Sequence, residues 1–219
     1  MSAPNHQSDW ERLFRIGRAL IDQVNSEQTI IDHWTFGGGT AMMIQIDHRE
    51  SHDVDLFLPD PQLLSYLDPK LHDFKFEIAP SGYGGDGTGF MKISFEKGEI
   101  DFIVGREMTS APTTTFEIAG VPTLLETVPE IITKKVVYRG KSFRPRDIFD
   151  MAAAAEQHAD AIIEALRSYP DEVAKTIETL NRLNPDFAND SIAQLMLRDK
   201  YRDLSKTAID RAREVLASV

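Results

Sequence analysis

Residues 34–58, WTFGGGTAMMIQIDHRESHDVDLFL, constrain the fold more than any other part of the chain. Gly37, Gly38 and Gly39 lack Cβ atoms and let backbone N–H groups crowd around an anion, and Thr40 adds a hydroxyl beside them. The apolar run AMMIQI that follows is long enough for about two helical turns. The glycines therefore stand at a helix N-terminus, where the macrodipole also favours negative charge. Thirteen residues lie between Gly39 and Asp53, after which Asp53-Val54-Asp55-Leu56-Phe57 reads as a strand carrying two acids. Residues two apart in a strand face one way, so the carboxylates share a side about 6–7 Å apart at the Cα atoms. Like charges on one face repel unless a cation lies between them. Hard oxygen ligands of this kind suit Mg²⁺, which is usually held by one or two carboxylates plus substrate phosphates. Either half alone also fits an ordinary turn or a solvated strand end; joined in this order they favour the ligand reading.

Several stretches could build a sheet around that strand. Trp10, Leu13, Phe14, Ile16, Leu20, Ile21 and Val24 recur at mostly three- and four-residue spacings, which predicts an amphipathic helix over residues 7–26. FKFEI at 74–78 alternates apolar and charged residues as a half-buried strand does. SGYGGDGTG at 81–89 has five glycines in nine residues and is expected to be an irregular hairpin loop. It lacks the Lys-Ser/Thr and following helix of a P-loop. FMKISFE at 90–96 and EIDFIV at 99–104 flank a Lys97-Gly98 turn and read as a hairpin, and TTTFEI at 113–118 as a further strand. From Val121 onwards nearly everything has helical spacing, which predicts an α/β core over 1–120 and a helical domain over 121–219.

Two further groups of residues carry chemistry. Asp101 lies between Ile100 and Phe102 in an otherwise apolar strand, where an acid is costly to bury unless something pairs with it. It marks either a solvent-facing edge or a partner such as a cation. Lys134, Lys135, Arg139, Lys141, Arg144 and Arg146 put six cations into thirteen residues of an acidic protein. A solvated basic helix face is the ordinary reading, but Asp147 and Asp150 follow directly and share a helix face. Cations of this kind can neutralise a triphosphate and a departing pyrophosphate.

The string Gly38-Gly39-Thr40-Ala41, then His48-Arg49-x-Ser51-x-Asp53-x-Asp55-Leu56-Phe57, resembles the AbiEii/AbiGii toxin-type nucleotidyltransferases of the polymerase β superfamily. Lys135, Arg139, Arg146, Asp147 and Asp150 fall on that family's second signature, so the resemblance runs from about Phe36 to Ala153. It implies an α+β fold: a nucleotidyltransferase-type mixed β-sheet with flanking helices, followed by a C-terminal helical bundle. It also implies Mg²⁺ or Mn²⁺ at Asp53, Asp55 and Asp101, Asp101 being the family's third carboxylate. A nucleoside triphosphate would be held by Gly38, Gly39, Thr40, Arg49, Ser51, Arg139, Arg146 and Asp147, with Lys135 and Asp150 joining the three acids in catalysis. Spacing leaves open whether Lys134 or Lys135 is the aligned lysine, though Lys135 lies one helical turn before Arg139, and which of Asp147 and Asp150 does the polar work. The implied activity is Mg-dependent transfer of a nucleoside monophosphate, of EC 2.7.7 type, to tRNA or a related acceptor. Such an enzyme would serve as a toxin in a toxin–antitoxin or phage-defence system, with a cognate antitoxin as partner.

The remaining features narrow the alternatives. The chain has no cysteine, so a disulfide framework or thiolate zinc site is excluded. His48 and His52 are four apart but lack an accompanying Glu-x-x-His pattern. The N-terminus has no signal-type apolar core and no run suits a membrane span, so a cytoplasmic location without membrane association is expected. Twenty-four Lys and Arg against 35 Asp and Glu give a formal net charge of −11, which opposes broad non-specific binding to nucleic acid. The competing readings are a non-catalytic nucleotide-binding or partner-docking module, a relative that modifies a protein or small molecule, and a metal-dependent glycosyltransferase, against which the glycine cradle argues.

Overall fold

The computed structural model describes residues 8–219; Gln7 of the expected first helix, and residues 1–7 searched for a leader, lie outside them. The described chain divides into two compact units. The first takes the described residues up to Ala41, then Ser51–Arg106 and Thr114–Leu125; the second takes Met42–Glu50, Glu107–Thr113 and Glu126–Val219.

In the first unit the amphipathic pattern gives α1 (Trp10–Val24), which buries Leu13, Phe14, Ile16, Gly17, Leu20 and Ile21. Then come β1 (Thr35–Gly37), α2 (Gly38–Ile46), β2 (Val54–Leu58), the single turn α3 (Leu64–Leu67), β3 (Gly82–Gly85), β4 (Phe90–Phe95), β5 (Gly98–Val104), β6 (Thr113–Ile118) and β7 (Val121–Glu126). The seven strands form one mixed sheet in the order β3-β4-β5-β2-β1-β7-β6. β2 lies parallel to β5 and antiparallel to β1, and β1 is parallel to β7. Val54, Leu56 and Leu58 of β2, with Ile100 and Phe102 of β5, are buried. Gly17 lets α1 settle on this apolar face, since a Cβ there would lie 3.0 Å from Leu56 and 3.3 Å from Ile100. The alternation of side chains sends Asp55 and Asp101 to the opposite face.

Three stretches before residue 127 depart from the sequence reading. Residues 74–78 do alternate in burial, but they join no strand. The Gln23 side chain on α1 bonds both the N–H and the C=O of Lys75, at 2.9 and 3.0 Å, and so satisfies the groups a neighbouring strand would use. The glycine-rich 81–89 is ordered: Gly82–Gly85 pair with β4 as β3, and Asp86 Oδ1 accepts from the N–H groups of Thr88, Gly89 and Phe90 to fix the turn. Residues 121–126, expected to be helical, form β7 instead, because Ala119 (φ 49°) and Gly120 (φ 79°) reverse the chain after β6.

The second unit contains α4 (Val128–Arg139), α5 (Pro145–Leu166), α6 (Pro170–Arg182), α7 (Pro185–Ala193) and α8 (Ala208–Ala217). Thr127 caps α4, Asp147 accepts from the Arg144 N–H at the start of α5, and the alanines at 152–155 are buried where α5 packs on its neighbours. Residues 194–207 read as helix by spacing yet contain only two 3₁₀ turns, at Asp199–Tyr201 and Leu204–Lys206. Their backbone is engaged elsewhere: the Glu50 N–H bonds the Met196 carbonyl (2.9 Å), and the Arg198 N–H bonds the His48 carbonyl (3.1 Å). No helix among the described residues is long and apolar enough to cross a membrane.

Candidate active site

Asp55 and Asp101 stand directly opposite each other in the parallel pair β2/β5. Asp53 precedes β2 by one residue and has the same facing as Asp55. β1 brings its last glycine against the same place, Gly37 pairing with Asp55. Gly38 then takes φ 68°, and a Cβ on it would lie 1.8 Å from Asp55 Oδ2. Only glycine allows this approach of backbone to carboxylate. The Thr40 hydroxyl, expected beside a phosphate, turns inward and donates to the Asp53 carbonyl, so it braces the acid loop. Ser51, also buried, accepts the Ser8 hydroxyl on its carbonyl at 2.7 Å.

The electrostatics of these acids suit a cation. Burial first, then the charge of Asp55, pushes the Asp101 carboxyl up to about 7; Glu99 and Asp53 add to this and Lys92 opposes it. Asp101 Oδ1 is buried with no hydrogen-bond partner among the described residues. No three His, Asp or Glu residues there form a ready-made metal cage. A Mg²⁺ site that borrows oxygens from substrate phosphates presents only part of its ligand set beforehand. Two further residues, Lys92 and Glu99, belong to this face. Lys92, opposite Asp101 on β4, is ion-paired with Glu99 and lies 3.7 Å from Asp101 Oδ2.

The second unit holds the other signature. Asp150 is fully buried and is the hub: Arg49 Nε and Nη2 reach its two oxygens at 2.7 and 3.0 Å, Lys135 Nζ lies at 2.9 Å, and His48 Nε2 donates at 2.9 Å. Lys135 also bonds Asp147 at 2.7 Å, and Arg139 Nη1 is 3.8 Å from Asp147. Both acids therefore brace Lys135, and Asp150 also braces Arg49. Lys134 points elsewhere, to Glu126 and Glu130. Arg146 makes no ion pair with a described residue. Burial raises the Asp150 carboxyl, but Arg49, Lys135 and the His48 hydrogen bond outweigh it and hold the group well below the usual range. The same contest, won by Lys135, lowers Asp147. Burial lowers His48 more than Asp150 raises it, so the ring stays neutral at pH 7. His48 stood beside Arg49 in the sequence motif, but its partner was not legible there, because Asp150 lies 102 positions away.

A mixed sheet that opens on a glycine turn and sets acids from adjacent strands side by side defines a nucleotidyltransferase. In fold the chain is similar to the crystal structure of an H. pylori protein described as a nucleotidyltransferase, with a TM-score of 0.51 at 13% identity over 97% of this chain and 95% of that one. It is also similar to JHP933 from Helicobacter pylori (TM-score 0.48, 13% identity, 97% and 92% covered). A third similar structure is MenT4, a nucleotidyltransferase toxin from Mycobacterium tuberculosis H37Rv (0.42, 14%, 91% and 92%). No curated protein matches the sequence. The family described as nucleotidyl transferase AbiEii toxin, type IV TA system, matches residues 19–216. The chain belongs to that family and is a toxin-type nucleotidyltransferase.

Proposed function

We propose that the chain transfers a nucleoside monophosphate from a nucleoside triphosphate to an acceptor hydroxyl, with Asp53, Asp55 and Asp101 as ligands for Mg²⁺ or Mn²⁺. The observation that carries this reading is the in-register pairing of Asp55 with Asp101, whose buried Oδ1 has no partner. A divalent cation on these oxygens would neutralise the triphosphate and make the acceptor hydroxyl more acidic. The N–H groups of Gly38, Gly39 and Thr40, at the start of α2, suit phosphate oxygens. Asp101 takes the acceptor proton, the new P–O bond forms at the α-phosphorus, and the bond to the β-phosphate breaks to release pyrophosphate. In the second unit, Asp150 orients Lys135 and Arg49 and Asp147 orients Lys135 and Arg139, while Arg146 keeps its charge unpaired; the phosphate-handling role of these residues, and of Ser51, rests on the family resemblance. tRNA as acceptor, an antitoxin partner, a phage-defence setting and a cytoplasmic location follow from the family resemblance.

Pyrophosphate release from each nucleoside triphosphate tests the chemistry. Asp53→Ala and Asp101→Asn should lose it while far-UV circular dichroism and the melting transition persist; a full rate in either variant ends the proposal. Labelled triphosphate with a total cell extract then identifies the acceptor. A labelled tRNA band supports the tRNA assignment, a labelled protein moves it to a protein acceptor, and nucleotide binding without any transfer leaves a binding module.

A further inference from the structure

Glu99, Asp101, Asp53 and Asp55 share one face at one end of β5 and β2, and the adjoining strand β4 offers them a single ammonium. Lys92 is the register partner of Asp101, while Glu99, two residues earlier on β5, is its diagonal neighbour. The ammonium is ion-paired to Glu99 and stands 3.7 Å from Asp101 Oδ2, beyond ordinary N–H···O hydrogen-bond length. Glu99 therefore tethers the charge close to Asp101 without letting it consume the acceptor oxygens. The Lys92 side chain remains 31% exposed, so it can move toward water without breaking the sheet.

We propose that Lys92 is the resident counter-cation of the acid cluster, compensating Asp101 when no divalent ion is bound and setting, by its repulsion, how tightly that ion binds. The proposal rests on the acid-site reading above. It makes Lys92 a positioning residue that acts through Asp101. A cross-strand lysine that served only as a solvated ion pair would contribute a little stability and leave metal affinity alone.

Mn²⁺ titration of the full chain without nucleotide, followed by the loss of the free-ion EPR signal, tests this. Lys92→Met should bind Mn²⁺ about fivefold more tightly than wild type, the size expected for a half-exposed charge pair. Lys92→Arg should match wild type. Lys97→Met, at the exposed turn of the same hairpin, removes the same charge and should change nothing. Unchanged or weaker binding in Lys92→Met, or equal tightening in Lys97→Met, overturns the proposal. If Lys92→Met does not fold, Glu99→Gln serves: it unties the ammonium, which then moves onto Asp101 and weakens Mn²⁺ binding. Unchanged or tighter binding there is equally fatal. Asp101→Asn separates the two levels. Mn²⁺ binding that Asp101→Asn abolishes and Lys92→Met fails to tighten sinks only the role of Lys92. No binding in wild type and Lys92→Met alike, both without nucleotide and with a non-hydrolysable triphosphate analogue, sinks the acid site with it.

Discussion

Gly38 is fixed by two independent constraints, its positive φ and the Asp55 carboxylate 1.8 Å from where a Cβ would be. Gly38→Ala must push Asp55 aside, and it should cost about 1–3 kcal/mol in urea unfolding and lower pyrophosphate release by more than about tenfold. Asp101 makes a second prediction at this scale. Its folded carboxyl titrates near 7, so between about pH 4 and 7 the folded chain holds a proton the unfolded chain has lost, and stability falls as pH rises through that window. With chelator present, Asp101→Asn should be more stable than wild type at pH 8 by on the order of 2–4 kcal/mol in denaturant titrations, and the gap should close near pH 4. The acids and the glycines were legible because each departs from what its surroundings favour: charge in an apolar strand, three residues without side chains in a row. Lys92 was illegible. A lysine alternating with apolar residues in a strand is what any half-solvated strand contains, and only the register of β4 against β5 puts it beside Asp101.

At the scale of elements, the charge cluster ties the start of α5 to α4 and to the loop carrying His48 and Arg49. Asp150→Ala leaves Lys135 and Arg49 buried without their shared counter-charge, and the expected loss is about 3–5 kcal/mol of unfolding free energy. Asp53→Ala, which breaks no ion pair, should lower activity with little change in melting temperature. Comparing the two by calorimetry separates an acid that holds the fold together from one that serves only the proposed chemistry. Hydrophobic period found α1, β2, β4, β5 and α6 because each has one buried face, whereas β6, almost wholly exposed, showed only its β-rich composition. It failed at 74–78, where a glutamine side chain replaces a neighbouring strand. It failed again at β7, where Pro122 and the adjacent Leu124 and Leu125 break the alternation, and at 194–207, where a helical pattern was overruled by backbone bonds to residues 48–50.

For the molecule as a whole, the buried groups pull stability in opposite directions. His48, Asp147 and Asp150 have folded pKa values below their ordinary ones, so each contributes stability above its unfolded pKa and loses it as pH falls. The His48 contribution should fade below about pH 6.5 and the two aspartates below about pH 4. Asp101 has the opposite sign over the upper part of this range and masks the histidine. In an Asp101→Asn background, the urea midpoint should therefore fall in two stages on acidification, and adding His48→Gln should remove the first. The sequence offered the sheet core and the helical second half, but no reading of local pattern could foresee which acids would meet which cations across the chain.

Residues 46–50 are closed by Met196, Arg198, Lys200 and Tyr201, with Asp47 and Arg198 lying 151 positions apart. A ribosome adds about 5–20 residues per second, so the loop that carries Arg49 waits roughly 8–30 seconds after its own synthesis for the segment that fastens it. Until translation has passed Tyr201, the bonds that fasten residues 46–50 cannot all form.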